Sequence, residues 1–163
     1  MNNLKQIYLG IMMYVQDNDN WFPRISGTVA SDTWPPTVMP YLDNNSAVLN
    51  CPSQNFYKSI SSTKSYSFTY NGTTRTSGYG LFSFLSLRNT AAIMKPTDMP
   101  IAADTNRADF YQYYSGPAWR HPGRSLYDGG IFHIFFDGHI EFHPGLSQYL
   151  QKFGSYYEPQ RYF

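Results

Sequence analysis

Leu4, Ile7, Tyr8, Ile11, Met12 and Val15 recur at helical spacing and draw one apolar stripe along the start of the chain. Asn2, Asn3, Lys5, Gln6 and Gln16 fall on the other side. A helix with a single apolar stripe is stable only when that stripe lies on another layer of structure, so the remaining residues must supply that layer. The run Asp17-Asn18-Asp19-Asn20 stops the helix, and Trp21-Phe22-Pro23 turns the chain away. The spacing therefore predicts one helix over residues 2–17.

Beyond the helix, the chain reads mainly as strands and loops. Residues 23–52 are rich in Pro and Asn and predict loops with at most one short helix. Residues 64–71 alternate aromatic with small polar side chains, a half-buried strand closed by an Asn71-Gly72 turn. Residues 99–104 form a short apolar strand, and residues 110–119 a Tyr-rich loop. From Ile131 to His143, two strand-like runs flank Asp137-Gly138, which predicts a hairpin on a two-residue type I′ turn. That register pairs Phe136 with His139, Phe135 with Ile140 and His133 with Phe142. It puts Ile131, His133, Phe135, Ile140 and Phe142 on one core-like face, and His139, Glu141 and His143 on the other beside Phe132, Ile134 and Phe136. Leu146, Tyr149, Leu150 and Phe153 mark a short helix ended by Gly154. With no repeat and no linker, residues 1–163 predict one α+β domain, an N-terminal helix packed on an antiparallel sheet.

Composition narrows the partners. Charged residues are only 14 % of the chain and aromatics 18 %, a balance suited to a surface where hydrogen bonds replace charge, facing copies of itself or glycans. A Tyr-rich antiparallel sheet accounts for the same figures. A net charge of +1 without a basic run gives no footprint for nucleic acid or an anionic membrane surface. Cys51 is the only cysteine, which excludes an intrachain disulfide and any multi-cysteine metal cluster. With no base beside it in sequence, it reads as a small buried apolar residue. No apolar run reaches the roughly 18 residues that span a bilayer.

Several blocks occur in an order that resembles a known family. Asn3-Leu4-Lys5-Gln6-Ile7 and Tyr14-Val15-Gln16-Asp17-Asn18-Asp19 come first, then Trp34, Pro40-Tyr41-Leu42 and Cys51-Pro52-Ser53. Residues 65–71, Pro100-Ile101-Ala102-Ala103-Asp104, Arg120-His121 and residues 135–142 around Asp137-Gly138 come after them. Together they resemble pseudopilin-like proteins with a prepilin-type N-terminal cleavage and methylation segment and a C-terminal block of His, nine residues, then Asp-Gly. His121, Asp137 and Gly138 match that last motif, although fifteen residues separate His121 from Asp137 here. The resemblance implies a pilin-like fold and a structural subunit of a type II secretion-like pseudopilus or type IV pilus-like filament, not an enzyme. It also implies other pilin-like subunits and secretion machinery as partners, and a periplasmic or cell-surface location. The membrane-embedded first half of the helix and its cleavage motif are expected ahead of residue 1. Without that half, the chain is expected to be mainly monomeric in dilute solution.

The residues leave other chemistry open. His139, Glu141 and His143 alternate along one strand face and could share Zn²⁺, though an exposed polar strand face explains them too. Asp17 and Asp19 offer hard oxygens to Ca²⁺, but helix-ending turns are also rich in Asp. His121, Asp104 and Asp137 could be parts of a hydrolytic site, yet no Gly-x-Ser-x-Gly nucleophile motif accompanies them. No catalytic residue and no cofactor is therefore expected. The alternative from another class is a cell-surface carbohydrate-binding module, with Tyr111, Tyr113, Tyr114 and Trp119 stacking on sugar rings.

Overall fold

A computed structural model describes residues 2–25, 33–55, 66–105, 107, 109–110, 121 and 129–144. Helix α1 spans Asn2–Asp17, as its stripe predicts, and buries Leu4, Ile7, Ile11 and Val15. Each such aliphatic side chain contributes about 1.5–3 kcal/mol on burial. Gly10 is buried too. A Cβ there would stand 2.7 Å from Leu42 Cδ2 and 3.3 Å from Val38 Cγ1, so the glycine allows a close approach of α1 to its neighbour. The helix ends where Asp19 and Asn20 adopt left-handed φ of +52° and +65°. Asn20 N–H then donates to the Val15 carbonyl at 2.9 Å, satisfying a terminal helix acceptor.

The Pro-rich segment forms a second layer against α1. Helix α2 spans Trp34–Val38 and carries proline in its first turn, where the missing N–H has no intrahelical partner to lose. Short 3₁₀ turns follow at Met39–Leu42, Ser46–Leu49 and Pro52–Asn55. Trp34, Val38, Met39 and Leu49 join the core with Ile7, Ile11 and Phe22.

Strands β1 (Tyr66–Tyr70) and β2 (Thr73–Ser77) make a two-stranded ribbon. The turn expected at Asn71-Gly72 is present, with positive φ at both Asn71 (+49°) and Gly72 (+71°), a type I′ geometry. Strands β3 (Tyr79–Phe82), β4 (Pro100–Asp104), β5 (Asp109–Phe110), β6 (Ile131–Phe135) and β7 (Ile140–His143) form a five-stranded sheet in the order β5-β3-β4-β6-β7. Every pairing in it is antiparallel except β3 with β5. Helix α1 lies on β4 and β6. The architecture is thus a mixed helix and antiparallel sheet, α+β. No described helix is long and apolar enough to cross a membrane.

The β6–β7 hairpin departs from expectation by one residue. Ile131 pairs with His143, Phe132 with Phe142, His133 with Glu141 and Ile134 with Ile140. Of the turn residues Asp137 and Gly138, only Gly138 has positive φ, at +85°. Gly138 N–H donates to the Phe135 carbonyl at 2.9 Å, and Phe135 N–H to the His139 carbonyl at 3.0 Å. This is a three-residue loop with glycine in the left-handed position, not a type I′ turn. The Asp137 side chain selects it: Oδ1 accepts from His139 N–H at 3.1 Å and lies 2.6 Å from His139 Nδ1. Partial burial opposes the charge on Asp137, but the bonds from His139 outweigh it and hold the carboxyl below its ordinary range. One residue of slip turns β7 over. Phe142 consequently packs near Phe132, ring centroids 4.7 Å apart, while His143 is buried beside His133.

This turn also anchors α1, because Tyr8 Oη donates to the Phe136 carbonyl at 3.1 Å. A Cβ on Gly138 would meet the Tyr8 ring at 3.3 Å. Gly138→Val is therefore expected to destabilise the domain by more than ~1 kcal/mol, since a β-branched residue resists positive φ. Urea denaturation measures it, and an unchanged midpoint would contradict the turn described.

Candidate metal centre

Three segments far apart in sequence converge at the end of β4. Cys51 follows the Ser46–Leu49 turn, which the ribbon holds in place: Gly78 N–H donates to the Leu49 carbonyl at 2.8 Å. Cys51 itself is buried. Asp104 closes β4, a strand buried along its whole length, and pairs with Tyr79 of β3. Its burial is complete, at 0 % exposure. His121 exchanges two backbone hydrogen bonds with Gly130, of 3.1 and 3.0 Å, just ahead of β6.

Gly130 is required there by contact. A Cβ on it would collide with the Phe142 ring, which lies over the glycine. Phe142 in turn packs on Phe132, and Phe132 meets His121 edge-on at 4.5 Å. Gly130→Ala should push this aromatic stack outward at a cost of ~1–3 kcal/mol. The same variant should move the His121 ring resonances, which a purely local effect at Phe142 would leave in place.

The side-chain geometry is specific. His121 Nε2 lies 3.0 Å from Asp104 Oδ2 and 3.9 Å from Cys51 Sγ. His121 Nδ1 lies 3.1 Å from Ser53 Oγ. Phe132 N–H donates to Asp104 Oδ2 at 3.1 Å, whereas Asp104 Oδ1 is buried with no hydrogen-bond partner among the described residues. One ligand atom each from Cys51, Asp104 and His121 falls within 4.8 Å of the others, so the group could hold a metal ion. The contacts also form a hydroxyl–imidazole–carboxylate chain through Ser53, His121 and Asp104. Cys51 faces the nitrogen that Asp104 already engages, so Nε2 serves the carboxylate or the sulfur, not both as a base.

Of the three residues weighed from sequence as possible parts of a hydrolytic site, His121 and Asp104 do meet. Asp137 is engaged in the β6–β7 turn instead. The candidate ligand set His139, Glu141 and His143 does not converge. His139 precedes β7 and is held against Asp137 and the face of Phe135, ring centroids 4.3 Å apart. His143 is buried, with Nδ1 3.8 Å from Glu141 Oε1. The three still share a strand face, but His139 is drawn to Asp137 while His143 packs against His133, ring centroids 5.0 Å apart. Asp19 terminates α1, and Asp17 Oδ2 accepts from Tyr41 Oη at 3.1 Å, so both have structural duties. Tyr111, Tyr113, Tyr114, Trp119 and the helix expected around Leu146, Tyr149, Leu150 and Phe153 lie outside the described residues.

Cys51 is buried as expected, but sequence reasoning missed the imidazole beside it. One signal did point there: Cys51-Pro52-Ser53, the β4 block ending in Asp104, and Arg120-His121 are three of the blocks that carry the family resemblance. Comparisons with protein-family models, curated proteins and solved structures find no match for this chain.

Proposed function

We propose that this protein is a structural subunit of a pilin-like filament, of the pseudopilus or type IV pilus kind, and not an enzyme. The observation that carries this reading is the two-sided use of α1. One side, with Leu4, Ile7, Ile11 and Val15, is buried where α1 meets the sheet and the turns after α2. The other presents Leu9 and Met13, which are 57 % and 52 % exposed. Beside them runs a groove of ≈ 280 Å³ lined by Gln6, Leu9, Met13, Tyr41, Leu42 and Val48, among others. A groove of that size has room for apolar side chains from a neighbouring subunit. The block resemblance points the same way, and it implies a membrane-embedded helix segment ahead of residue 1.

Two apolar side chains fall far short of the ~800 Å² per partner that a stable interface buries. Contacts of this size hold only when repeated along a filament. The isolated chain should accordingly scatter light as a monomer across a dilution series. Fused behind a prepilin cleavage motif and an apolar segment of about 20 residues, with a prepilin peptidase and assembly machinery present, it should be processed and held at the membrane. A photo-crosslinking residue at position 9, which can link to any surface of a neighbour, should then give ladders of covalently joined subunits. A concentration-independent dimer of the isolated chain, or processed protein that never forms ladders, would refute the filament reading.

A further inference from the structure

The Cys51–Asp104–His121 group plays no part in the filament reading, and its burial demands an explanation of its own. A carboxylate removed from water needs a positive or hydrogen-bonding partner for each oxygen. Asp104 Oδ2 has two, Phe132 N–H and His121 Nε2, yet Oδ1 has none among the described residues. Beside it sit a buried thiol and an imidazole nitrogen.

We propose that Cys51 Sγ, His121 Nε2 and the Asp104 carboxylate bind one divalent transition-metal ion, with Zn²⁺ the best match. Donor chemistry favours that ion, and geometry and charge are compatible with it. Thiolate is soft and imidazole borderline, a pair suited to Zn²⁺, while Ca²⁺ takes six to eight oxygens. Ligand bonds of about 2.3 Å for sulfur and 2.0–2.2 Å for nitrogen and oxygen, at tetrahedral angles, put sulfur about 3.6 Å from nitrogen and nitrogen about 3.3 Å from oxygen. The observed separations are 3.9 Å to sulfur and 3.0 Å to Asp104 Oδ2, each within a few tenths of an ångström, and the three ligand atoms all lie within 4.8 Å of one another. A thiolate and a carboxylate also neutralise a divalent cation, so the buried site carries no net charge once filled.

Binding proceeds with a simple proton balance. The Cys51 S–H bond breaks, its proton passes to solvent, and the S–metal bond forms. Nε2 binds the ion through its lone pair, so the neutral imidazole carries its proton on Nδ1, where Ser53 Oγ, 3.1 Å away, accepts the hydrogen bond. Ser53 and the Phe132 ring edge thus hold the imidazole in a ligand-ready orientation. The ion would tie together segments separated by 70 and 17 positions, Cys51 to His121 and His121 to Asp104. A cross-link of that kind replaces the disulfide that a chain with one cysteine cannot make.

Metal-free full chain titrated with Co²⁺ tests the proposal. One equivalent should bind, giving the visible bands of four-coordinate cobalt and a near-ultraviolet thiolate-to-cobalt band, and Zn²⁺ should displace it. Cys51→Ser should abolish the thiolate band. Asp104→Asn and His121→Gln should each weaken binding more than about 100-fold, beyond the roughly 10–100-fold expected of a supporting contact such as Ser53→Ala. Glu141→Gln and His139→Ala should leave the spectrum unchanged. Should any variant fail to fold, X-ray absorption on the zinc-loaded unmodified chain decides alone, with one sulfur expected at about 2.3 Å. Cobalt bound by oxygen alone, a spectrum indifferent to Cys51→Ser, or no saturation near one equivalent would overturn the site. None of these results touches filament assembly, so the two readings fail separately.

Discussion

Ile11→Asp should leave the domain unfolded, whereas Met13→Asp, two positions along the same helix, should change its stability by less than ~0.5 kcal/mol. Ile11 is 0 % exposed and Met13 is 52 % exposed. A carboxylate at Ile11 would sit in the apolar cluster that holds Ile7, Val15 and the inward side chains of β4 and β6, away from any cation described there. Burying an unpaired charge costs several kcal/mol after relaxation, to which the lost isoleucine burial is added. Domains of this size have about 5–15 kcal/mol of stability in total, so the variant has little or nothing left. Met13 points the other way, and its replacement meets water. Circular dichroism with urea titration reads both. Equal effects at the two positions would mean that α1 is rotated from the orientation described, and the filament reading of Leu9 and Met13 would go with it.

The helix was legible because period alone fixes which side of α1 turns inward. The ribbon turn was equally legible, since Asn71 and Gly72 both accept positive φ. Asp137-Gly138 looked the same in sequence and folds differently. Asp137 has a histidine two residues on, and its carboxylate bonds both the amide and the ring of His139. That local bond draws the turn into a three-residue loop and shifts β7 by one. Short-range side-chain chemistry therefore decided which strand face each residue took, and backbone preference alone carries no trace of it. The candidate metal centre was hidden for a different reason. Cys51, Asp104 and His121 are each ordinary in their own surroundings, and only the β4–β6 pairing together with the bond from Gly78 to the Ser46–Leu49 turn brings them together. Their proximity depends on tertiary structure, with no spacing motif to announce it.

Trp34→Ala should cost about 3–5 kcal/mol, the range for emptying a fully buried large aromatic site. Trp34 is 0 % exposed and opens α2, the short helix that touches both α1 and β1. Five residues of helix with two prolines in the first turn cannot hold their shape alone, and a two-stranded ribbon such as β1–β2 is marginal without a layer beneath it. The tryptophan thus supports two elements that have little stability of their own. Its loss should be felt unevenly. Hydrogen exchange should show the β1 and β2 amides losing protection first, while β4 and β6, covered by α1, keep theirs until global unfolding. Trp34→Phe should recover part of both effects, because a smaller ring still fills much of the site. The consequence reaches the groove as well. Tyr41, Leu42 and Val48 line it from the turns after α2, while Gln6, Leu9 and Met13 line it from α1. If that groove seats a neighbouring subunit, Trp34→Ala should lower the ladders photo-crosslinked from position 9 at temperatures where the sheet is still folded. Uniform loss of protection across β1, β2, β4 and β6 would instead make the domain one cooperative unit, with no separate role for Trp34 in supporting the groove wall.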